Sequence, residues 1–430
     1  MGSQSPPFPP LADTELFTPL PLGAITLSHR IVQSPCTRMR GVLETPGIWK
    51  CGDVAVEYYS QRSTKGGLQI TEATNISRLC GGYPGIPGVF TPGQLEGWKK
   101  VTDAVHAKGG YIFCQIWHVG RGTVPALIEG HQTLSSSDIP IKGKAVNGDE
   151  YADFPPRPMT VEEIADVVKQ FADAAKACME QAGFDGVEIH GFVFTNPPLA
   201  STNWLLTVEL RANGYLLEQF LHDNVNKRTD AYGGSIENRC RFPLEVIRAV
   251  TSAIGPERVG IRLSPYNYYQ DTRDSNPNKH WAYLCTQIAE LPKENRVSYV
   301  HMIEPRFDEE LDEAGKMAAL AAYSKTPVEG FEFDPKRVNS LVPFRNILKK
   351  GGVKFLAAGG FGRENAQEKV RTKDADAVVM GRWFIANPDL VKRLRLGLPL
   401  NAYDRSTFYG ADPKTKGYTD YPFFEKGKGA

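Results

Sequence analysis

The chain has 430 residues and an apolar fraction of 41%, enough to bury the core of one large α/β domain or of two average ones. Its formal net charge of +1 offers no electrostatic case for nucleic acid or an anionic membrane as partner. Seven cysteines without a Cys-x-x-Cys pair read as reduced thiols of an intracellular protein, not as a disulfide frame or a zinc site. The first ten residues are rich in Pro and Ser and lack the charged start and apolar run of a signal peptide. No window approaches the roughly 18 consecutive apolar residues of a membrane span. The expectation is a cytoplasmic enzyme; oligomeric state leaves no trace in the sequence.

Residues 1–14 read as a flexible leader, and 16–27 alternate apolar residues with Gly and Pro as a small N-terminal hairpin does. A rhythm then begins. Short apolar runs rich in β-branched residues fall at 30–34, 68–72, 111–116, 186–189, 259–263, 299–303, 353–357 and 377–380. Between most of them lie segments with helical periodicity, among them 94–107, 161–181, 238–254 and 335–349. Thr160 and Glu163, three positions apart, predict a capping box at the start of one helix. Eight strands alternating with helices predict an α/β fold with a parallel sheet, and the number eight favours a closed (β/α)8 TIM barrel over residues 15–400. An open doubly wound sheet calls for a G-x-G-x-x-G turn after the first strand, and Ser34-Pro35-Cys36-Thr37-Arg38 is unlike one. Two long excursions, 120–158 and 306–335, are expected over the C-terminal mouth of the barrel. The tail, 401–430, carries seven Tyr and Phe residues and is expected to pack down on the barrel.

In such a barrel, polar residues at the C-terminal ends of strands are the catalytic candidates. Here these are Thr37, Glu72, Gln115, His118, His190, Arg262, His301, Gly359-Gly360 and Gly381-Arg382. Glycine turns after the last two strands suit a phosphate, with backbone N–H groups facing the anion and Arg382 as a bidentate partner. Three strand-end histidines raise a metal hydrolase. Its usual carboxylate ligand and His-x-His pair are missing, so no metal is expected. A Schiff-base aldolase wants a lysine at a strand end, and Lys354 stands at a strand start.

Motifs in a fixed order carry a resemblance to a known family. They run Arg30 to Arg40; Ala55-Val-Glu-Tyr-Tyr59; Ile70-Thr-Glu-Ala73; Gln115-Ile-Trp-His-Val-Gly-Arg121; and Gly186-Val-Glu-Ile-His190. Arg228-Thr-Asp230 through Glu237-Asn-Arg239, Gly260-Ile-Arg-Leu-Ser-Pro265, Val379 to Asp389 and Asp404 to Tyr409 complete the set. Over nearly its whole length the chain resembles the Old Yellow Enzyme family of FMN-dependent ene-reductases. That resemblance implies FMN as cofactor, and NADPH (or NADH) as hydride donor for reducing an α,β-unsaturated carbonyl compound, an enone or enal. It implies that Pro35 and Thr37 contact the flavin, with Thr37 donating to O4. Ala73 would be a small-residue flavin contact, Gln115 would bond the pyrimidine edge and Arg262 would stand by N1–O2. Gly359, Gly360, Gly381 and Arg382 would hold the phosphate. His190 and Asn213 would grip the substrate oxygen, Tyr215 would protonate the α-carbon, and Trp117 and Tyr409 would shape the pocket. Cys36 lies one residue before Thr37, so the chain resembles the subclass with Thr, not Cys, at this flavin contact.

The family pattern spaces these groups as in His-Gly-Ala-Asn-Gly-Tyr. Here His190-Gly191 and Ala212-Asn213-Gly214-Tyr215 are its two halves, separated by residues 192–211. One reading of that stretch is a loop over the barrel mouth. The other, favoured by its clean junction and apolar composition, is a translated intron. Three activities follow. The leading one is C=C reduction, a role in secondary metabolism being one setting for it. The alternatives are a flavin-dependent isomerase or desaturase of a biosynthetic pathway, or an inactive flavin-binding relative if the insertion displaces Asn213 and Tyr215.

Overall fold

The computed structural model describes residues 8–191, 214–266, 269–304 and 340–425. Eight parallel strands form its centre: β1 (Ile31–Gln33), β2 (Leu68–Ile70), β3 (Tyr111–Trp117), β4 (Gly186–His190), β5 (Val259–Leu263), β6 (Tyr299–Ile303), β7 (Lys354–Ala358) and β8 (Ala377–Met380). Each pairs with the next in sequence, and β8 pairs back onto β1, with Val379 opposite Val32. The sheet is therefore a closed (β/α)8 barrel with no open edge among these strands, and all eight sequence-predicted strands are in it.

The helices form where apolar residues recur with helical spacing. They include α1 (Asp53–Arg62), α2 (Pro92–His106), α3 (Val161–Glu180), α4 (Leu216–Leu221), α5 (Ile236–Ile254), α6 (Pro277–Glu290) and α7 (Val342–Lys350). Thr160 caps α3 through its side chain, which accepts from the Glu163 N–H, while Glu163 reaches back to the Thr160 N–H at 2.8 Å. The last predicted helix, 335–349, begins later than periodicity suggests, at Val342, and residues 305–339 lie outside the described ones.

Two apolar layers fill the fold. Leu16, Trp98, Phe171, Phe242, Trp281 and their neighbours pack helices onto the outside of the barrel. Inside it, Val32, Ile70, Phe113, Tyr299 and Leu356 meet the hairpin Leu20–Leu22 and Ile25–Leu27. The turn of that hairpin comes against the starts of β5 and β6: Ala24 N–H donates to Glu257 O, and a Cβ on Gly23 would fall 1.9 Å from the same oxygen. The hairpin therefore plugs the bottom of the barrel and leaves the C-terminal mouth for chemistry. Toward the C-terminus, Tyr418 is buried and stacks on Tyr58 at 4.1 Å. Arg62 ties this region to the barrel by donating to Ile385 O and Tyr418 O. No helix among the described residues is long and apolar enough to cross a membrane.

Candidate active site

Period-two alternation aims every second side chain of β4 into the barrel, so Glu188 and His190 share its interior. Register fixes their neighbours: Glu188 lies opposite Gln115 of β3, and Arg262 of β5 lies between His190 of β4 and His301 of β6. Glu188 is a hub, accepting from Gln115 Nε2 at 2.7 Å and the Tyr299 hydroxyl at 3.1 Å, with His301 Nδ1 at 3.0 Å. Burial raises the Glu188 carboxyl, but His301, Arg262 and the Gln115 bond outweigh it and hold the group below its usual range. His301, buried beside Arg262, is lowered. Its Nδ1, paired with the Glu188 carboxylate, ties the ring to β4. His118 is similar: its Nδ1 accepts from the Gly120 N–H, and burial lowers it to about 3. Glu72 is buried and accepts from the Arg38 N–H, with burial raising its carboxyl to about 7. No group of three His, Cys, Asp or Glu among the described residues could hold a metal ion.

His190 is different. It is buried, and neither ring nitrogen has a hydrogen-bond partner among the described residues. Burial first, and Arg262 second, hold it well below its usual value, so the imidazole is neutral. A neutral imidazole offers one N–H and one lone pair. Its ring lies 5.7 Å from Trp117 and 5.4 Å, edge-on, from Tyr215, while Trp117 and Tyr215 meet edge-on at 4.6 Å. The Trp117 Nε1–H is tied to Asn75 Oδ1 at 2.7 Å, which fixes the indole plane. Tyr409 packs against this group together with Tyr83 and Ala73.

Tyr215 sits at the N-cap of α4, held by the side chains that follow it. Gly214, at φ +76°, takes a turn that favours glycine. Its N–H donates to Glu218 Oε2 and its carbonyl accepts from Gln219 Nε2, each at 2.7 Å. Leu216 N–H donates to His118 O at 3.2 Å. Glu218 in turn stands 3.7 Å from His222 Nε2, and Asp274 lies 3.0 Å from His222 Nδ1 and 2.9 Å from His280 Nδ1. Asn213 and the stretch 192–211 lie outside the described residues.

The cofactor candidates line the remaining arc of the mouth. Gly359 (φ +106°) and Gly360 (φ +68°) turn the chain after β7, and a Cβ on Gly360 would meet nothing within 4 Å. On Gly381, after β8, a Cβ would come 2.9 Å from Cys36 Sγ. Arg382 follows and bonds the Tyr403 hydroxyl at 3.2 Å. Pro35 and Ala73 are buried, Thr37 half-buried. Buried Gln33 Oε1 and Gln115 Oε1 have no partner among the described residues. Open glycine turns beside a guanidinium suit a phosphate, and unpartnered amide groups suit the polar edge of a flavin. These residues fit FMN.

A family model described as "NADH:flavin oxidoreductase / NADH oxidase family" matches residues 15–193 and 207–401. The chain belongs to the Old Yellow Enzyme family. The flavin oxidoreductase hxnT of Emericella nidulans is 60% identical, the match covering 98% of this chain and 100% of that one. 12-Oxophytodienoate reductase 2 of Arabidopsis thaliana is 43% identical, with 95% of this chain and 96% of that one covered. Among solved structures, morphinone reductase in complex with tetrahydroNAD has a TM-score of 0.76 at 36% identity, covering 97% of this chain and 100% of that one. The old yellow enzyme homologue from Zymomonas mobilis has a TM-score of 0.77 at 32% identity, covering 95% and 100%. This Old Yellow Enzyme family member is an oxidoreductase that uses FMN and a nicotinamide hydride donor.

Sequence reasoning passed over Glu188, Tyr299, Tyr83 and the group around Asp274. Glu188 had a signal: a carboxylate two residues before His190 in an apolar strand shares its face. Tyr83, in a Gly- and Pro-rich loop, had none.

Proposed function

We propose that this enzyme reduces the C=C bond of α,β-unsaturated carbonyl compounds, with His190 and Asn213 holding the carbonyl oxygen and Tyr215 supplying the proton. The observation that carries this reading is the buried, neutral His190, its two ring nitrogens without a partner among the described residues and Tyr215 edge-on beside it. An unpaired buried donor costs about 1–3 kcal/mol, which a substrate oxygen would recover. When bound, FMN supplies the hydride that reaches the β-carbon. The His190 N–H opposes the negative charge that then develops on the oxygen. The Tyr215 O–H bond breaks as the C–H bond at the α-carbon forms. Trp117 and Tyr409 wall the pocket and keep water from the oxygen. Pro35, Thr37, Ala73, Gln115, Arg262, Gly359, Gly360, Gly381 and Arg382 are the residues we assign to the cofactor.

The test is anaerobic. FMN-loaded protein bleached by NADPH is mixed with cyclohexenone, and flavin colour and product are followed. Recovery of colour with cyclohexanone as product is expected. Colour that fails to return, or an isomerised or desaturated product, would remove the reductase reading.

A further inference from the structure

We propose that Glu188 is a positioning residue of the cofactor site: as a permanent acceptor it turns the Gln115 amide so that Oε1, not Nε2, is offered to the cofactor. The site would thereby select a ring that carries an N–H at that edge. The inference rests on Gln115 belonging to the cofactor site, as assigned above.

Strand alternation places the pair. The inward positions of β3 run Phe113, Gln115 and Trp117. Phe113 packs in the layer that meets the hairpin, and Trp117 packs in the aromatic group with Tyr215 at the mouth. Gln115 is the rung between plug and mouth. Glu188 lies opposite it on β4, one rung below His190.

An amide side chain has a donor end and an acceptor end and can present either. An ionised carboxylate can only accept. Glu188, held below the usual carboxyl range, is ionised at neutral pH. Its Oε1 takes the Gln115 Nε2–H at 2.7 Å. Its Oε2 takes the Tyr299 hydroxyl at 3.1 Å and pairs with His301 Nδ1 at 3.0 Å, so the carboxylate is pinned from β6 as well. All four side chains are fully buried. Turned the other way, Gln115 would set one acceptor oxygen against another. With Nε2 committed to Glu188, Gln115 Oε1 is left as the open acceptor, buried and without a partner among the described residues. Leaving it so costs about 1–3 kcal/mol. The pyrimidine edge of a flavin carries one N–H, at N3 between two carbonyls, and that group would satisfy Oε1.

The test uses enzyme loaded with FMN isotopically labelled at nitrogen, in which NMR reads the hydrogen bonding of N3–H directly. In the wild type this signal should be protected from exchange and shifted downfield of free FMN. A signal like that of free FMN would overturn the proposal in the native protein, however the variants behave. Glu188→Met keeps the length of the side chain but offers no strong acceptor, so the Gln115 amide is released. Its N3–H signal should move back toward free FMN, and FMN should bind about tenfold less tightly. Glu188→Gln can still turn its carbonyl to Gln115 and should keep both the signal and most of the affinity. Both variants remove an anion from the strand beside Arg262, so the midpoint potential of the bound flavin should rise in each. Orientation and charge are thereby read apart. Gln115→Leu should also move the N3–H signal toward free FMN. An unmoved signal there would take Gln115 out of the cofactor site, and the inference with it. An unmoved signal in Glu188→Met alone, or a loss in Glu188→Gln as large as in Glu188→Met, would overturn the role of Glu188 and leave that of Gln115 standing.

Discussion

The two banks of the barrel mouth are built by different means. On the cofactor bank the turns continue strand pairing: Glu304 N–H donates to Ala358 O at 2.8 Å, and Ser34 N–H donates to Met380 O at 3.0 Å. The strand ends just before Gly359 and Gly381 are thus set by backbone bonds, and Gly360 O also accepts from Asn365 Nδ2 at 3.0 Å. On the reaction bank the chain leaves β4 at Gly191 and is next described at Gly214, and no strand pairing holds Tyr215. One backbone bond, Leu216 N–H to His118 O, and side chains do that work instead: Glu218 and Gln219 clasp Gly214, and Glu218 leans on the buried group of His222, Asp274, His280 and Arg239. Cofactor binding and proton delivery should therefore fail separately.

The largest expected effect comes from removing the anion at the centre of that group. Burial alone raises the Asp274 carboxyl, but His280 and His222 outweigh it and hold the group well below its usual range. Asp274→Ala would take from His222 and Arg239 the carboxylate they share, leaving Glu218 at 3.7 Å from one and Asp223 at 3.9 Å from the other. Breaking a buried pair in this way costs about 3–5 kcal/mol, read as a lower melting temperature. Under conditions where the variant stays folded, FMN should still bind and cyclohexenone turnover should fall. Loss of flavin in step with turnover would mean that the banks are one unit.

A smaller effect is expected from alkali. Burial lowers His222, but Asp274 and Glu218 raise it further, to about 10. A raised histidine contributes stability that is complete below its unfolded value near 6.5 and is lost as pH rises through about 10. Melting temperature should therefore decline across that window, and His222→Gln should flatten the decline. A His222→Gln protein with the wild-type slope would place the titration elsewhere.

These banks were also unequally legible. The eight strands, the hairpin, the Thr160 capping box and the glycine turns are local patterns, in which each residue type states its own conformational need. Glu188 was half legible, since alternation in 186–190 puts it on the face of His190, though not its partners Tyr299 and His301 on β6. The Asp274 group was not legible, because Glu218 and His222 come from α4 and its C-terminal end, Asp274 from the loop between β5 and α6, and His280 from α6, and only tertiary packing brings them together. Tyr83 sits in a loop whose composition is that of any turn.

Residues 192–211 put the comparison to its last use. They fall at the junction between the banks, and the family model leaves 194–206 unmatched between its two segments. Lengthening a link of about three residues to about 23 costs only roughly 2 kcal/mol in closure entropy, so a loop there is thermodynamically tolerable. Catalysis is less forgiving, since a shift of about 1 Å in a reacting group can cost on the order of a hundredfold in rate. Deleting 192–211 joins Gly191 to Ala212 and restores the spacing of His190, Asn213 and Tyr215. We expect FMN affinity to be unchanged, because the cofactor bank does not pass through this junction, and cyclohexenone turnover to rise. Unchanged turnover would mean that Asn213 and Tyr215 already reach their places across the insertion. Transcript sequencing separates the origins: a mature message that contains these codons makes the stretch a loop of the enzyme, and one that lacks them makes it an intron.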